Sequence, residues 1–423
     1  MRCLFLSFTF PESGTTLRAK AFARIFKKAG HTVTLIAPNP RRYYRSDLYI
    51  EPHGTEIHTP SYTPFGLIDP QEGWGPLDWL HRFYHVAFAE SYDLIYCFDH
   101  KPSCVWPAQL YQKIYNTPVL YDWCDWWGGP DGQFRGFVEK SPVFQQRNAL
   151  QRLVQRGLFR IEDRMERRAA QAFDAVTVIS SALRDRCREL DIPATQVEKL
   201  YTPCDPKTVS ARTKKEARSE LGNSLKITSE FYKGCVVGMA ANIVHDHASF
   251  WQMIRDVTTE RDDINFLLIG PGFDNLPDWM EEKKARERVH LTGKIPFDDM
   301  LAGLAASDVL MSPLEPTDYN RGRFPHKFFD YLAAGRPILV SDVGDMPRLV
   351  EQYDLGVVNR SGSFAATVIE AADASGRWDE WGANSQQLAR TAFSDDEIHR
   401  RLNLLLARSM GDRTTANGDR III

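Results

Sequence analysis

Lys327 and Asp330 stand three positions apart within DYNRGRFPHKFFDYLAAGRPILVSDVG, the stretch from Asp318 to Gly344, and chemistry can be read there first. Residues three or four apart share one face of a helix. Pro325 suits the first position of a helix and Gly335 suits its left-handed stop, so the spacing predicts a helix from Pro325 to Ala334. One side of it offers Lys327 and Asp330; the other turns Phe328 and Leu332 inward. Open N–H groups at a helix start, with a lysine beside them, suit phosphate. A carboxylate one turn further on suits the hydroxyls of a sugar or a ribose. The bland reading of the same pair is a solvated couple worth about 0.2–0.5 kcal/mol.

Other polar residues fall at the ends of apolar runs. The run YDLIYCFDH delivers Asp99, His100 and Lys101, and PVLYDWCDWW delivers Asp122 and Asp125. In a parallel sheet the carboxyl ends of the strands line one edge, so these groups meet there. His100 reads either as a surface histidine bonded locally or as a ligand contact. Gly14 lies in the loop PESGTT after the first strand; without a GxGxxG pattern it points to close backbone approach rather than to a dinucleotide.

The elements that would position these groups alternate. Residues 2–10 read as a strand rather than a leader, LRAKAFARIFKKAG as a helix and HTVTLIAP as a strand, which is a βαβ unit and implies a parallel sheet. The pattern loosens from Arg41 to Leu80. It resumes through AFDAVTVISSALRDRC, with Ser180 and Ser181 as helix-start residues, and a second series of strands and helices begins at CVVGMAA. A chain of 423 residues exceeds the ~250–300 at which single cores stop growing, so two domains are expected. The charge-rich stretch Lys207 to Asn223 marks the boundary. The expected division is 1–206, 207–390, a C-terminal helix at 391–412 crossing back to the first domain, and a tail at 413–423.

A formal charge of -3 argues against a dedicated nucleic-acid binder. Seven scattered cysteines without a Cys-x-x-Cys pair fit reduced thiols in the cytoplasm. No run reaches the ~18 apolar residues of a spanning helix, so membrane contact would be peripheral. Residues 134–168 are the segment suited to it. Arg152, Arg156, Arg160 and Arg164 recur every fourth residue among apolar positions, as at an interface or on a helix packed against a sheet.

Taken together these motifs resemble the glycosyltransferases of the GT-B fold, and most of all the large retaining family 4. LLIGPG, VHLTGKIP, ASDVLMSP and FPHKFFDYLAAGRPIL follow that family's pattern in order, and ISSALRD matches its last N-domain strand and helix. The resemblance implies an α/β fold of two doubly wound Rossmann-like domains facing a central cleft. It also implies a nucleotide-sugar donor held chiefly by the second domain, and a saccharide or lipid-linked acceptor on the first. Catalytic roles fall to His100, Lys327 and Asp330. Donor contacts fall to Gly14, Gly238, Asn242, Arg321, Arg323, Lys327 and Asp330. No metal is expected, since the sequence has no Asp-x-Asp and preorganised cations can meet the charge of a departing diphosphate.

The chain departs from the family in three places. Gly322 stands where an acid is usual, GMAANIVHDH lacks the usual cation and offers Asn242, and Asp330 replaces a glutamate. Arg321 and Arg323 could substitute as phosphate partners. A nucleotide-sugar epimerase of the same architecture and a non-catalytic nucleotide-sugar-binding protein remain as alternatives.

Overall fold

The computed structural model describes residues 1–41, 44–63, 73–88, 91–209, 212–244, 246–273 and 275–410. The expected tail at 413–423 and parts of the irregular region between Arg41 and Leu80 lie outside them. The chain forms two compact units. The first comprises Met1–Pro203, Thr317–Phe324 and the helix Asp395–Met410; the second comprises Cys204–Pro316 and Pro325–Ser394.

Eight strands make the sheet of the first unit: β1 (Arg2–Leu6), β2 (Thr32–Pro38), β3 (Asp47–Glu51), β4 (Gly54–Thr59), β5 (Leu94–Phe98), β6 (Val119–Trp123), β7 (Ala175–Val178) and β8 (Val197–Lys199). Their order is β3-β4-β2-β1-β5-β6-β7-β8, parallel except for the β3–β4 pair. Helices cover both faces, so β5 and β6 are buried along their whole length, as their near-continuous apolar runs require. On one face the helix Gly14–Lys28 lays Phe22 and Phe26 against Phe5 and Tyr96, and the helix Asp395–Met410 adds Ile398, Leu402 and Leu405 to the same core. That last helix is also tied down by charge, Arg24 to Asp395 at 2.8 Å and Lys28 to Asp396 at 2.6 Å.

The segment 134–168 is not one helix. Short turns at Gln133–Gly136 and Val138–Lys140 precede the helix Ala149–Ala172, which starts at Asn148 in a reciprocal cap with Gln151. Its outer face exposes Leu150, Leu153, Arg156, Arg160, Ile161 and Arg164. Its inner face buries Phe159, and also Glu162 and Glu166, which from the sequence alone look like surface charges that temper the arginines.

The second unit carries β9 (Cys235–Ala240), β10 (Ile264–Ile269), β11 (Val289–Leu291), β12 (Val309–Ser312), β13 (Ile338–Ser341) and β14 (Gly356–Asn359), ordered β11-β10-β9-β12-β13-β14 and parallel throughout. One segment does not follow its sequence neighbours. The short helix Asp318–Gly322, which follows β12 in the chain, belongs to the first unit, where Ser180 Oγ donates to the Gly322 carbonyl at 2.9 Å.

Candidate functional site

In an open parallel sheet, ligands collect outside the carboxyl ends of two neighbouring strands whose connections leave in opposite directions. In the second unit those strands are β9 and β12. Tyr331 fixes a helix to both. Its hydroxyl accepts from the Ala240 amide at the end of β9 (3.2 Å) and donates to the Met311 carbonyl in β12 (3.0 Å). The helix is Lys327–Ala334, with Phe328 and Leu332 fully buried and Gly335 in the left-handed conformation (φ 63°) that ends it. Nearby, the Ser312 Oγ at the end of β12 is buried and has no hydrogen-bond partner among the described residues.

This helix begins two residues later than the sequence predicts. Pro325 and His326 form a tight turn whose carbonyls accept the Phe328 and Phe329 amides at 3.1 and 3.0 Å. Two of the N–H groups expected to face a phosphate are thereby engaged, and the ammonium of Lys327 is the larger source of positive charge. Asp330 is half-buried and receives no hydrogen bond or ion pair from the described residues. Burial pushes its carboxyl up to about 7. An acid kept partly desolvated without a partner costs stability.

Asn242 is exposed just after β9, at the same edge. Gly238 is not at the edge. It is buried within β9, where a Cβ would sit 2.2 Å from Ser307 Oγ, so its missing side chain serves the packing of a helix on the strand rather than the approach of a ligand. Arg321 and Arg323 fall in the segment that belongs to the first unit. Arg321 is exposed and pairs with Asp318 at 3.0 Å, and the Arg323 guanidinium lies 3.6 Å from Asp125.

In the first unit the diverging strands are β1 and β5. Gly14 opens the helix after β1, exposed, with nothing within 4 Å of where a Cβ would be. Its conformation does not require glycine, and among the described residues nothing fills the space beside it. His100, at the end of β5, is fully buried, which excludes the surface-histidine reading. The turn into it places Asp99 at φ 72°, a conformation that aspartate tolerates better than most residues. The Asp99 carboxylate accepts from His100 Nδ1 at 2.6 Å, and Glu162 lies 3.6 Å from Nε2 on the other side. Burial alone would depress the imidazole, but Asp99 and Glu162 outweigh it and raise its pKa to about 9.

Lys101, also buried, donates to Glu162 at 2.5 Å and rests against the rings of Trp127 and Phe134 at 4.6 and 4.9 Å. Trp74 Nε1 donates to the second oxygen of Glu162. Burial would raise the pKa of that carboxyl, yet Lys101 and His100 hold it below the ordinary range. Sequence reasoning missed Glu162. The available signal was an acid three residues from Phe159 and four from Glu166, on the apolar face of its helix.

Residues 13–201 match the family model described as "Glycosyl transferase 4-like domain", and residues 234–374 match "Glycosyl transferases group 1". A similar curated protein is the "Putative teichuronic acid biosynthesis glycosyltransferase TuaH" of Bacillus subtilis (strain 168), 22% identical over 256 residues. That match spans 59% of this chain and 58% of the relative. Among solved structures, sucrose-phosphate synthase from Thermosynechococcus elongatus superposes with a TM-score of 0.71 at 15% identity, covering 98% of this chain and 100% of that one. Anabaena HepE in complex with UDP-glucose gives 0.63 at 16% identity, covering 95% and 98%. WaaG, a glycosyltransferase involved in lipopolysaccharide biosynthesis, gives 0.62 at 15%, covering 97% and 100%.

Proposed function

Because this chain belongs to the GT-B glycosyltransferases, we propose that it moves a sugar, with retention of configuration, from a nucleotide-sugar donor to a saccharide or lipid-linked saccharide acceptor. The observation that carries this reading is Asp330, a half-buried carboxylate with no partner among the described residues, one turn from Lys327 at the carboxyl edge of the second sheet. Asp330 accepts hydrogen bonds from the ribose hydroxyls of the donor. Lys327 meets the negative charge that grows on the diphosphate as the glycosidic bond breaks, the work a metal ion does in other transferases. The name of the Bacillus relative supports a growing polysaccharide as acceptor, and the UDP-glucose bound to HepE supports a uridine donor.

Among the described residues no helix is long and apolar enough to cross a membrane. The exposed face of Ala149–Ala172, with Leu150, Leu153 and Ile161 beside Arg156, Arg160 and Arg164, fits peripheral contact with anionic lipid at the cytoplasmic face, where a lipid-linked acceptor would be met. Loss of binding to anionic vesicles on replacing the three arginines with glutamine supports that contact. Vesicle binding absent in the parent chain overturns it.

A thermal-shift screen with UDP, GDP, ADP and dTDP, each with and without magnesium, tests the donor reading, since a ligand that binds only the native state raises the melting temperature. The expected result is one nucleotide that shifts the transition without magnesium, and whose effect Lys327→Ala removes. No shift with any of the four overturns it.

A further inference from the structure

The helix Pro76–Phe88 of the first unit is amphipathic the wrong way round. Its inner side buries charge. Arg82 Nε donates to Asp78 at 2.5 Å, and the same guanidinium donates to the Ser7 and Ser103 carbonyls at 2.8 and 3.2 Å, all out of contact with water. Its outer side exposes Leu80, Tyr84 and Phe88, at 65%, 65% and 76%. Residues four apart follow one line along a helix, so the three side chains form a continuous apolar ridge. Burial lowers His81 and His85 below the ordinary imidazole range, which leaves the outside of this helix uncharged at neutral pH. A helix that faces water has the reverse pattern.

The helices beside it share the same face of the sheet. Cys97 of β5 and Tyr121 of β6 are register partners and point to one side, as does Trp123 two residues on. On that side the helix Pro102–Tyr115 brings Cys104 within hydrogen-bonding reach of Cys97, and Glu166 of the helix Ala149–Ala172 accepts from the Trp123 indole at 2.9 Å. Pro76–Phe88 lies alongside Pro102–Tyr115, where the Tyr115 hydroxyl donates to the Ala87 carbonyl at 3.4 Å. Every exposed charged side chain on these three helices is basic: Lys113, Arg156, Arg160, Arg164, Arg167 and Arg168. Arg160, Arg164 and Arg168 have no acid partner among the described residues, and in a chain of net charge -3 such segregation is not a bulk excess of base. The next helix, Ser181–Glu189, exposes Asp185 and Glu189 beside Arg188 and bounds the basic patch. Half-exposed Trp79 and Trp106, their ring centroids 4.9 Å apart, join the first two helices, and indoles favour the depth of lipid headgroups. A bilayer with anionic lipid meets both needs, since it takes an uncharged ridge out of water and supplies anions to the arginines. A second copy of the chain on the same patch would supply no anion.

We infer that the face built by Pro76–Phe88, Pro102–Tyr115 and Ala149–Ala172 docks on an anionic bilayer, with Leu80, Tyr84 and Phe88 inserted below the headgroups and the arginines set on them. The inference rests on the peripheral contact proposed above and adds the element that inserts. Sedimentation of the full chain with vesicles of phosphatidylcholine, alone or mixed with phosphatidylglycerol, at low and high salt tests it. The parent binds the mixed vesicles, and part of that binding survives high salt, because salt screens charge but not an apolar ridge. Replacing Leu80, Tyr84 and Phe88 together with glutamine removes the salt-resistant part and lowers vesicle affinity tenfold or more. The melting temperature and the UDP-induced shift stay at the parent values, since all three side chains are exposed.

A triple variant that binds like the parent overturns the insertion and leaves the arginine contact standing, as does parent binding that high salt abolishes entirely. Binding that survives loss of the arginines but not of the ridge supports the insertion and defeats the arginine contact. A parent that binds neither kind of vesicle overturns both, and a UDP shift in that parent leaves the donor reading intact. Self-association of the parent in solution that the triple variant loses, without vesicle binding, gives the ridge to a second copy and overturns the bilayer. A loss of binding that tracks a fall in melting temperature overturns the insertion as well.

Discussion

At the carboxyl edge of the first sheet, charge is consumed by charge; at that of the second, a carboxylate is left over. Arg18 holds Asp122 through two hydrogen bonds of 2.7 and 2.8 Å, Lys101 holds Glu162, and Asp99 holds His100, all buried. Asp330 has no such partner among the described residues, although burial makes its ionisation costly. On the function proposed above, the difference separates scaffold from site. A saturated buried network keeps strand ends and loops in one arrangement, whereas a desolvated acid without a partner is retained where something outside the chain completes it.

The largest effect that could break this comparison lies in the first unit. Glu162→Ala leaves Lys101 a buried cation without its anion and takes from His100 one of its two carboxylate neighbours, and costs about 3–5 kcal/mol. Urea unfolding measures it, and a loss below about 1 kcal/mol would show that the network is not what holds the edge together.

Asp330→Asn moves two quantities in opposite directions. Loss of a charge-assisted hydrogen bond worth about 1.5–3 kcal/mol weakens nucleotide binding roughly 10–100-fold. Stability, by contrast, rises at alkaline pH. The folded-state pKa of about 7 lies above that of an unfolded aspartate, so the parent has its full stability below the unfolded value and loses it as pH rises through about 7. Melting temperatures at pH 5 and pH 8 read this directly. An asparagine variant with no relative gain at pH 8 contradicts the account.

His100 titrates in the same sense for a different reason. Its pKa of about 9 exceeds the unfolded value near 6.5, so its contribution is complete below ~6.5 and lost as pH rises through about 9. His100→Gln should flatten the fall in the urea midpoint between those values, by on the order of 1 kcal/mol. The smallest effect is expected at Arg321. Its exposed pair with Asp318 makes Arg321→Ala a change of about 0.5 kcal/mol or less in stability, with nucleotide affinity retained. A tenfold loss of affinity would return Arg321 to the donor site.

Periodicity made much of the second unit legible. Phe328 and Leu332 are buried as their spacing requires, and the glycine stop at Gly335 is where the helix ends. Ser180 accepts from the Leu183 amide at the start of its helix, as a cap should. Gly238 was misleading because a glycine after an apolar run looks the same whether it admits a ligand or a packed helix, and Ser307, its neighbour, is distant in sequence. Arg321 and Arg323 show the limit of chain neighbourhood in another way. They adjoin Lys327 along the chain, but the short helix that carries Arg321 packs with the first unit.

The sequence by itself determined the alternation of strands and helices, the two-part architecture and the Lys327–Asp330 helix, because these follow from local periods, caps and breakers that neighbouring residues decide between them. Only the tertiary structure decided which ionised groups have partners. Glu162 meets Lys101 across 61 positions, and Arg18 meets Asp122 across 104. Partnership depends on which strand ends the sheet order brings together. Desolvation, which leaves Asp330 titrating near 7, depends on everything packed around it.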